Sequence, residues 1–101
     1  MDVMKLSVAI AFGGVSVEHE ISILSAMQAI AAFPDAYEIV PLYIAKDGRM
    51  YSDASFQKTE VFQDLTKVTQ ENYEVQLVRE HQRVLMQWKK HHFWKDRKSV
   101  V

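Results

Sequence analysis

This sequence lacks cysteine, and it holds only three glycines and two prolines in 101 residues. Disulfide bonds and thiolate metal sites are therefore excluded, and the residue types do not favour an oxidising compartment. No apolar run approaches the length of a membrane span, and the N-terminus is a poor match to a signal peptide. Hydrophobic residues make up 49% of the chain, enough for one small core. We expect a soluble, cytoplasmic protein with one domain.

Charge is unevenly distributed along the chain. Residues 1–78 hold five of the 12 Lys and Arg residues and 11 of the 13 Asp and Glu residues, whereas residues 79–101 hold seven and two. A basic segment that also contains Trp88, Phe93 and Trp94 suits a single-stranded nucleic acid. No nucleic-acid-binding motif accompanies it. We therefore interpret it as a solvated surface with core aromatics, and expect neither nucleic-acid nor membrane binding.

The first half of the chain predicts a strand, a helix and a second strand. Residues 5–12 form an apolar run that ends at two glycines, which is typical of a strand buried on both faces. Residues 20–33 have apolar residues at helical spacing in two sets, at 23, 27 and 30 and at 21, 24 and 31. Residues 37–45 are β-branched and aromatic, and Pro41 favours an edge position or a bulge there. This order predicts a right-handed βαβ unit with parallel strands.

The second half of the chain gives weaker signals. Asp47-Gly48 lies between two strand-like segments and predicts a hairpin. Residues 53–72 suggest one short helix with loops, and residues 73–94 favour hairpin-like strands. The chain ends in KSVV, which is similar to the beginning of another strand. Two parallel strands bury little surface, so we expect an incomplete sheet and a chain truncated before the next core strand.

The loop that contains Gly13 and Gly14 joins the first strand to the helix. Glycine lets the backbone approach a ligand closely, and ligands of open α/β sheets bind beyond the carboxyl ends of the strands. The spacing of a dinucleotide or P-loop motif is absent, and Glu18 and Glu20 would repel a phosphate. A carboxylate there suits an ammonium group, such as the amine of an amino acid. An ordinary helix start capped by Ser16 is the alternative.

The segment FGGVSVEHEISILSA resembles the N-terminal signature of D-alanine–D-alanine ligases and of their D-Ala–D-Lac and D-Ala–D-Ser relatives. The matching residues are Phe12, Gly13, Gly14, Ser16, Glu18, His19, Glu20, Ile21 and Ser22. PLYIAKDGRMY also resembles the family's second strand and turn. The resemblance covers residues 4–52 well and residues 53–101 only loosely.

The resemblance implies a fold and a reaction. The fold is α/β, a Rossmann-like (pre-ATP-grasp) N-terminal domain with a small, partly parallel sheet over residues 1–101. The reaction is ATP-dependent ligation in peptidoglycan precursor synthesis. ATP phosphorylates the carboxylate of the first D-alanine, and the amine of the second attacks the acyl phosphate. ATP and Mg2+ would be bound in the parent enzyme by domains absent here, and this chain would bind no cofactor and no metal by itself.

The resemblance also implies roles for single residues. Glu18 would be the catalytic and substrate-binding residue, because the first Glu of the family's motif receives the ammonium group of the first D-alanine. Ile21 would line the same pocket. Gly13, Gly14 and Ser16 would shape the loop.

Other residues receive no catalytic role. We expect His19 to be exposed. His91 and His92 lack the glycine that follows the histidine of the family's later motif, H-G-x-x-G-E-[DN]-G, which is absent here. We therefore expect residues 1–101 alone to have no ligase activity. A homodimer, a non-catalytic remnant and a stand-alone interaction module are the alternatives left open.

Overall fold

The strand, helix and strand of the first half form a parallel βαβ unit. The computed structural model describes residues 6–15, 18–89 and 97–100. In it β1 spans Leu6–Gly13, helix α1 His19–Ala32 and β2 Tyr37–Ile44. β1 and β2 pair in parallel along their whole length, and Gly13 lies opposite Ile44 at their carboxyl ends. Helix α1 packs against β1. The predicted order and the parallel pairing of the strands are confirmed, and the carboxyl ends of both strands lie at one end of the sheet.

The Asp-Gly pair forms the predicted hairpin. Strand β3 is short, Met50–Tyr51, and pairs antiparallel with the end of β2. Gly48 has φ +89° and donates its amide hydrogen to the carbonyl of Ala45 at 2.9 Å. Glycine adopts this left-handed conformation without a steric penalty, so the chain reverses within a few residues.

Residues 53–73 contain three short helical turns instead of one. Helix α2, Leu65–Val68, is flanked by 3-10 turns at Thr59–Gln63 and Glu71–Tyr73. The Asp64 carboxylate caps α2 by accepting a hydrogen bond from the amide of Thr66 at 3.1 Å. Competing local hydrogen bonds of this kind favour short turns over one longer helix.

The antiparallel strands of the second half extend the same sheet. Strand β4, Glu74–Glu80, pairs antiparallel with β5, Arg83–Trp88, as the hairpin interpretation predicts. The part of that prediction over residues 90–94 lies outside the described residues. Strand β6, Arg97–Val100, pairs antiparallel with β5, so the strand expected from KSVV is present.

Among the described residues, six strands form one partly parallel sheet in chain order, β1 to β6. The predicted α/β class is confirmed. Strand β2 lies between β1 and β3, so the expected edge strand is wrong for β2 as a whole, but among the described strands Pro41 itself is paired only with β1. Proline is tolerated there because β3 pairs only with Tyr43 and Ile44, so that ladder stops before Pro41. The Ser52 hydroxyl instead donates to the Pro41 carbonyl at 2.6 Å.

Strand β2 is buried on both faces. This burial was expected of β1, but β1 lies at the edge of the described sheet, and Phe12 is its only buried residue. Val40 and Leu42 belong to a cluster with Val75 and Met86 on one face. Tyr43 belongs to a larger cluster on the other face, whose buried members are Phe12, Ile23, Ala26, Met27, Ile30, Tyr43, Ala45, Tyr51, Phe56, Phe62 and Val68.

Helix α1 buries only one of its two apolar sets. Ile23, Met27 and Ile30 face the core, whereas Ile21 and Leu24 are 63% and 50% exposed. One stripe of apolar residues therefore orients the helix toward the core, and the side that carries Ile21 and Leu24 faces the solvent.

Phe62 links several rings of the larger cluster. Its ring centroid lies 5.3 Å from those of Phe12 and Tyr43 and 5.7 Å from that of Phe56. We predict that Phe62→Ala lowers the free energy of unfolding by about 3–5 kcal/mol, because it leaves a cavity among these rings. Urea denaturation followed by circular dichroism measures the loss. The half-buried Phe33 provides the matched variant, Phe33→Ala, and an equal loss in both would contradict the prediction.

Candidate functional site

The glycine loop leaves β1 at the end where the two parallel strands terminate. Gly13 and Gly14 have φ values of +89° and +100°, conformations that residues with a side chain rarely adopt. The Gly14 amide donates to the carbonyl of Ile44, the last residue of β2, at 2.7 Å. The Gly13 amide donates to the Ser22 hydroxyl in the first turns of α1 at 3.0 Å. The loop is thus fixed to both β2 and α1.

Gly13 makes a closer approach to β2 than any side chain would allow. A Cβ atom at this position would lie 2.4 Å from the Ile44 carbonyl oxygen and 3.0 Å from the Tyr43 ring. A Cβ atom at Gly14 would meet nothing within 4 Å. The absence of a side chain at Gly13 therefore lets the glycine loop pack closely on β2. Gly14 instead borders open space where a ligand could approach the backbone. Both predicted loop-shaping glycines lie where the loop turns.

Glu18 lies at the N-cap position of α1 and is exposed. Its carbonyl accepts a hydrogen bond from the Ser22 amide at 2.9 Å, which closes the first turn. Glu20 follows in that turn, and its carboxylate lies 3.7 Å from the ammonium of Lys46 on the β2–β3 hairpin. The two carboxylates therefore have different surroundings at the same end of the sheet.

His19 is buried between these two acidic residues. The prediction that it is exposed is wrong, because its relative exposure is 0%. Its Nε2 atom and the Tyr43 hydroxyl share a hydrogen bond of 2.8 Å, and the two rings meet edge to face with centroids 5.4 Å apart. Burial raises the pKa of Tyr43 to about 12, and the carboxylate of Asp47 adds to the effect. Tyr43 is therefore a neutral hydrogen-bonding partner at ordinary pH.

A signal for this burial is present in the helical periodicity. His19 precedes Ile23, Ala26 and Ile30 by four, seven and eleven residues, so it lies on their stripe. The polar character of His19 favours exposure, whereas its place on this stripe favours burial. For Tyr43, the sequence predicts only a place in a strand.

Two predicted site residues remain, Ile21 and Ser16. Ile21 is exposed on the first turns of α1. Ser16 lies outside the described residues, so its predicted cap stays a prediction, and Glu18 occupies the N-cap position without a capping side-chain hydrogen bond. A shallow cavity of about 190 Å3 lies beside the same turn, between α1 and the Thr59–Gln63 turn, and is lined partly by Glu20, Leu24 and Phe62.

Two further findings concern the described part of the chain. Residues 6–15, 18–89 and 97–100 contain no group of three or more His, Cys, Asp or Glu side chains arranged to hold a metal ion. Within the same residues, no helix is both long enough and apolar enough to cross a membrane.

Comparison with known families gives one match over most of the chain. A family model described as "D-ala D-ala ligase N-terminus" matches residues 7–100. The D-alanine–D-alanine ligase of Chlorobium phaeovibrioides is 53% identical over 51 residues, which cover 48% of this chain and 14% of that protein. The same enzyme of Thermosipho melanesiensis is 38% identical over 64 residues, 62% of this chain and 18% of that protein. The chain thus spans less than a fifth of these relatives.

Solved structures agree on the fold. The D-alanine–D-alanine ligase of Helicobacter pylori superposes with a TM-score of 0.59 and 21% identity, covering 96% of this chain and 26% of that one. The VanG D-Ala:D-Ser ligase of Enterococcus faecalis gives a TM-score of 0.59 and 24% identity over 74% of this chain and 22% of that one. At these identities the likeness supports the fold alone.

The two glycines differ in what a side chain would meet, which gives a matched pair of variants. We predict that Gly14→Ala costs about 1–2 kcal/mol of stability, because only the left-handed backbone is penalised. Gly13→Ala should cost about 1–3 kcal/mol in addition, because its Cβ overlaps the Ile44 carbonyl. Urea denaturation of both variants measures the difference in the free energy of unfolding. Equal losses would contradict the prediction that a Cβ atom at position 13 overlaps the Ile44 carbonyl.

The raised pKa of Tyr43 predicts a loss of stability in alkali. The folded state holds the phenolic proton more tightly than the unfolded chain, whose pKa is 10.0. The stabilisation is therefore complete below pH 10.0 and is lost as the pH rises through about 12. Urea midpoints should fall over this interval, and less steeply in Tyr43→Phe. An identical pH dependence in both proteins would contradict the assignment to Tyr43.

Proposed function

This chain belongs to the D-Ala D-Ala ligase N-terminus family, and on that premise we propose that it supplies the part of an ATP-dependent D-alanine–D-alanine ligase that binds the first D-alanine. The enzyme would act in the cytoplasm, in the synthesis of peptidoglycan precursors. The observation that supports this function is the position of Glu18. Its exposed side chain leaves the first turn of α1 beside the glycine loop and beyond the carboxyl ends of β1 and β2.

The chemistry of this end of the sheet favours an amine. A carboxylate accepts hydrogen bonds from an ammonium group, and the pairing of opposite charges roughly doubles the strength of such bonds. Glu18 would thereby hold the first D-alanine by its amine and leave its carboxylate free to react. Ile21, exposed on the same turn, would contact the side of the bound amino acid.

The described residues do not suit ATP and magnesium. The loop has two glycines and no lysine, and its neighbours Glu18 and Glu20 would repel phosphate. The described part of the chain also lacks a cluster of metal-binding side chains. In this proposal ATP and Mg2+ are bound by other parts of the parent enzyme, and residues 1–101 alone release no ADP.

A second candidate is an interaction module of the same fold. It is favoured by Ile21 and Leu24, which expose apolar surface on the outer side of α1. The two candidates differ in their need for the Glu18 carboxylate, since an apolar contact with another chain or a second copy would not depend on it.

We predict that Glu18→Gln raises the KM for the first D-alanine about tenfold to hundredfold, because a charge-assisted hydrogen bond is lost. ADP release by the full-length protein from its natural source is measured as D-alanine is varied. Glu20→Gln removes the neighbouring carboxylate, which pairs with Lys46, and is the matched control. Equal effects of the two substitutions, or a wild-type protein without D-alanine-dependent ADP release, would contradict the proposal.

A further inference from the structure

The buried hydrogen bond between His19 and Tyr43 joins the start of α1 to the end of β2. His19 is the first residue of the helix, and Tyr43 is the last residue but one of the strand. Both side chains are almost completely enclosed, with exposures of 0% and 1%. Their rings also meet edge to face, so the contact combines a polar and an apolar component. The pair therefore determines how the first turn of the helix sits on the sheet.

The second nitrogen of the His19 ring makes the burial of this side chain unfavourable. The Nδ1 atom of His19 is buried without a hydrogen-bond partner among the described residues. A buried polar atom left unpaired is unfavourable by more than an ordinary hydrogen bond contributes. An apolar side chain on this stripe would fill the space without that penalty. Stability alone is thus a poor explanation for a histidine at this position.

Burial also determines which role His19 can have. A side chain with no exposure cannot touch a ligand that enters from solvent, so a direct catalytic role does not fit. Its neighbour Glu18 is the N-cap residue and is exposed, so one short stretch of backbone carries both the buried imidazole and the exposed carboxylate. The backbone of this turn is further held by the Gly14–Ile44 and Gly13–Ser22 hydrogen bonds.

We propose that His19 and Tyr43 are positioning residues for the Glu18 carboxylate. Their hydrogen bond fixes the rotation of the first turn of α1 about its axis, and with it the direction from which Glu18 meets an ammonium group. This inference rests on the proposed function of Glu18. It adds a second pair of residues on which recognition of the first D-alanine depends, although neither of them touches it.

The test removes the hydrogen bond and keeps both rings. In the full-length protein from its natural source, Tyr43→Phe should raise the KM for the first D-alanine about threefold to tenfold, the range expected for one ordinary hydrogen bond. The kcat at saturating D-alanine and the KM for ATP should stay unchanged. Tyr51→Phe is the matched control, because Tyr51 is buried in the same cluster and its hydroxyl interacts with Arg49 instead of α1.

A second pair of variants separates positioning from packing. His19→Gln retains an amide that can hydrogen-bond to Tyr43 and should keep the KM within about twofold to threefold of wild type. His19→Leu retains only the apolar volume and should match Tyr43→Phe. Circular dichroism at the assay temperature establishes that each variant is folded, and the His19 pair provides the test if Tyr43→Phe is not.

The outcomes distinguish a failure of the positioning role from a failure of the proposed function on which it rests. Wild-type protein without D-alanine-dependent ADP release would overturn the proposed function and this inference with it. An active wild type in which Tyr43→Phe and Tyr51→Phe have the same KM, or in which His19→Gln and His19→Leu behave alike, would overturn the positioning role alone. A KM effect confined to Tyr43→Phe and His19→Leu would support it.

Discussion

Gly13 passes so close to the Ile44 carbonyl that no other residue fits there, and the geometry of the candidate site depends on this approach. It brings the loop after β1 against the end of β2, where the Gly14 amide reaches the same carbonyl. The first turn of α1 then lies over Tyr43, and His19 enters the core to meet it. The exposed Glu18 carboxylate is a consequence of these contacts, since its neighbour is anchored inside.

Local patterns were sufficient to predict the elements that place this site. The apolar run before Gly13, the helical spacing after it and the β-branched segment around Val40 are each strong signals over short distances. Together they predict parallel strands whose carboxyl ends coincide, and the structure has that arrangement. The Asp47-Gly48 turn was equally clear, because few residue pairs tolerate the backbone that a tight hairpin needs.

The features that local patterns missed depend on tertiary contacts. Pro41 is tolerated on an internal strand because β3 is too short to pair with it, a fact that no property of Pro41 itself reveals. His19 is buried because Tyr43, 24 residues away in the sequence, places its hydroxyl within hydrogen-bonding distance of the imidazole ring. Residue type alone thus predicts exposure for His19 and an edge strand for Pro41, whereas their neighbours in the fold determine where both residues lie.

The central claim is that the Glu18 carboxylate receives the ammonium group of an amino acid beside the glycine loop. The most direct measurement is a crystal structure of the full-length protein with D-alanine bound. We expect the amine nitrogen of one D-alanine to lie within hydrogen-bonding distance of the Glu18 carboxylate, with His19 still joined to Tyr43 beneath it. A D-alanine bound with its amine on other groups, and Glu18 facing solvent, would contradict the claim.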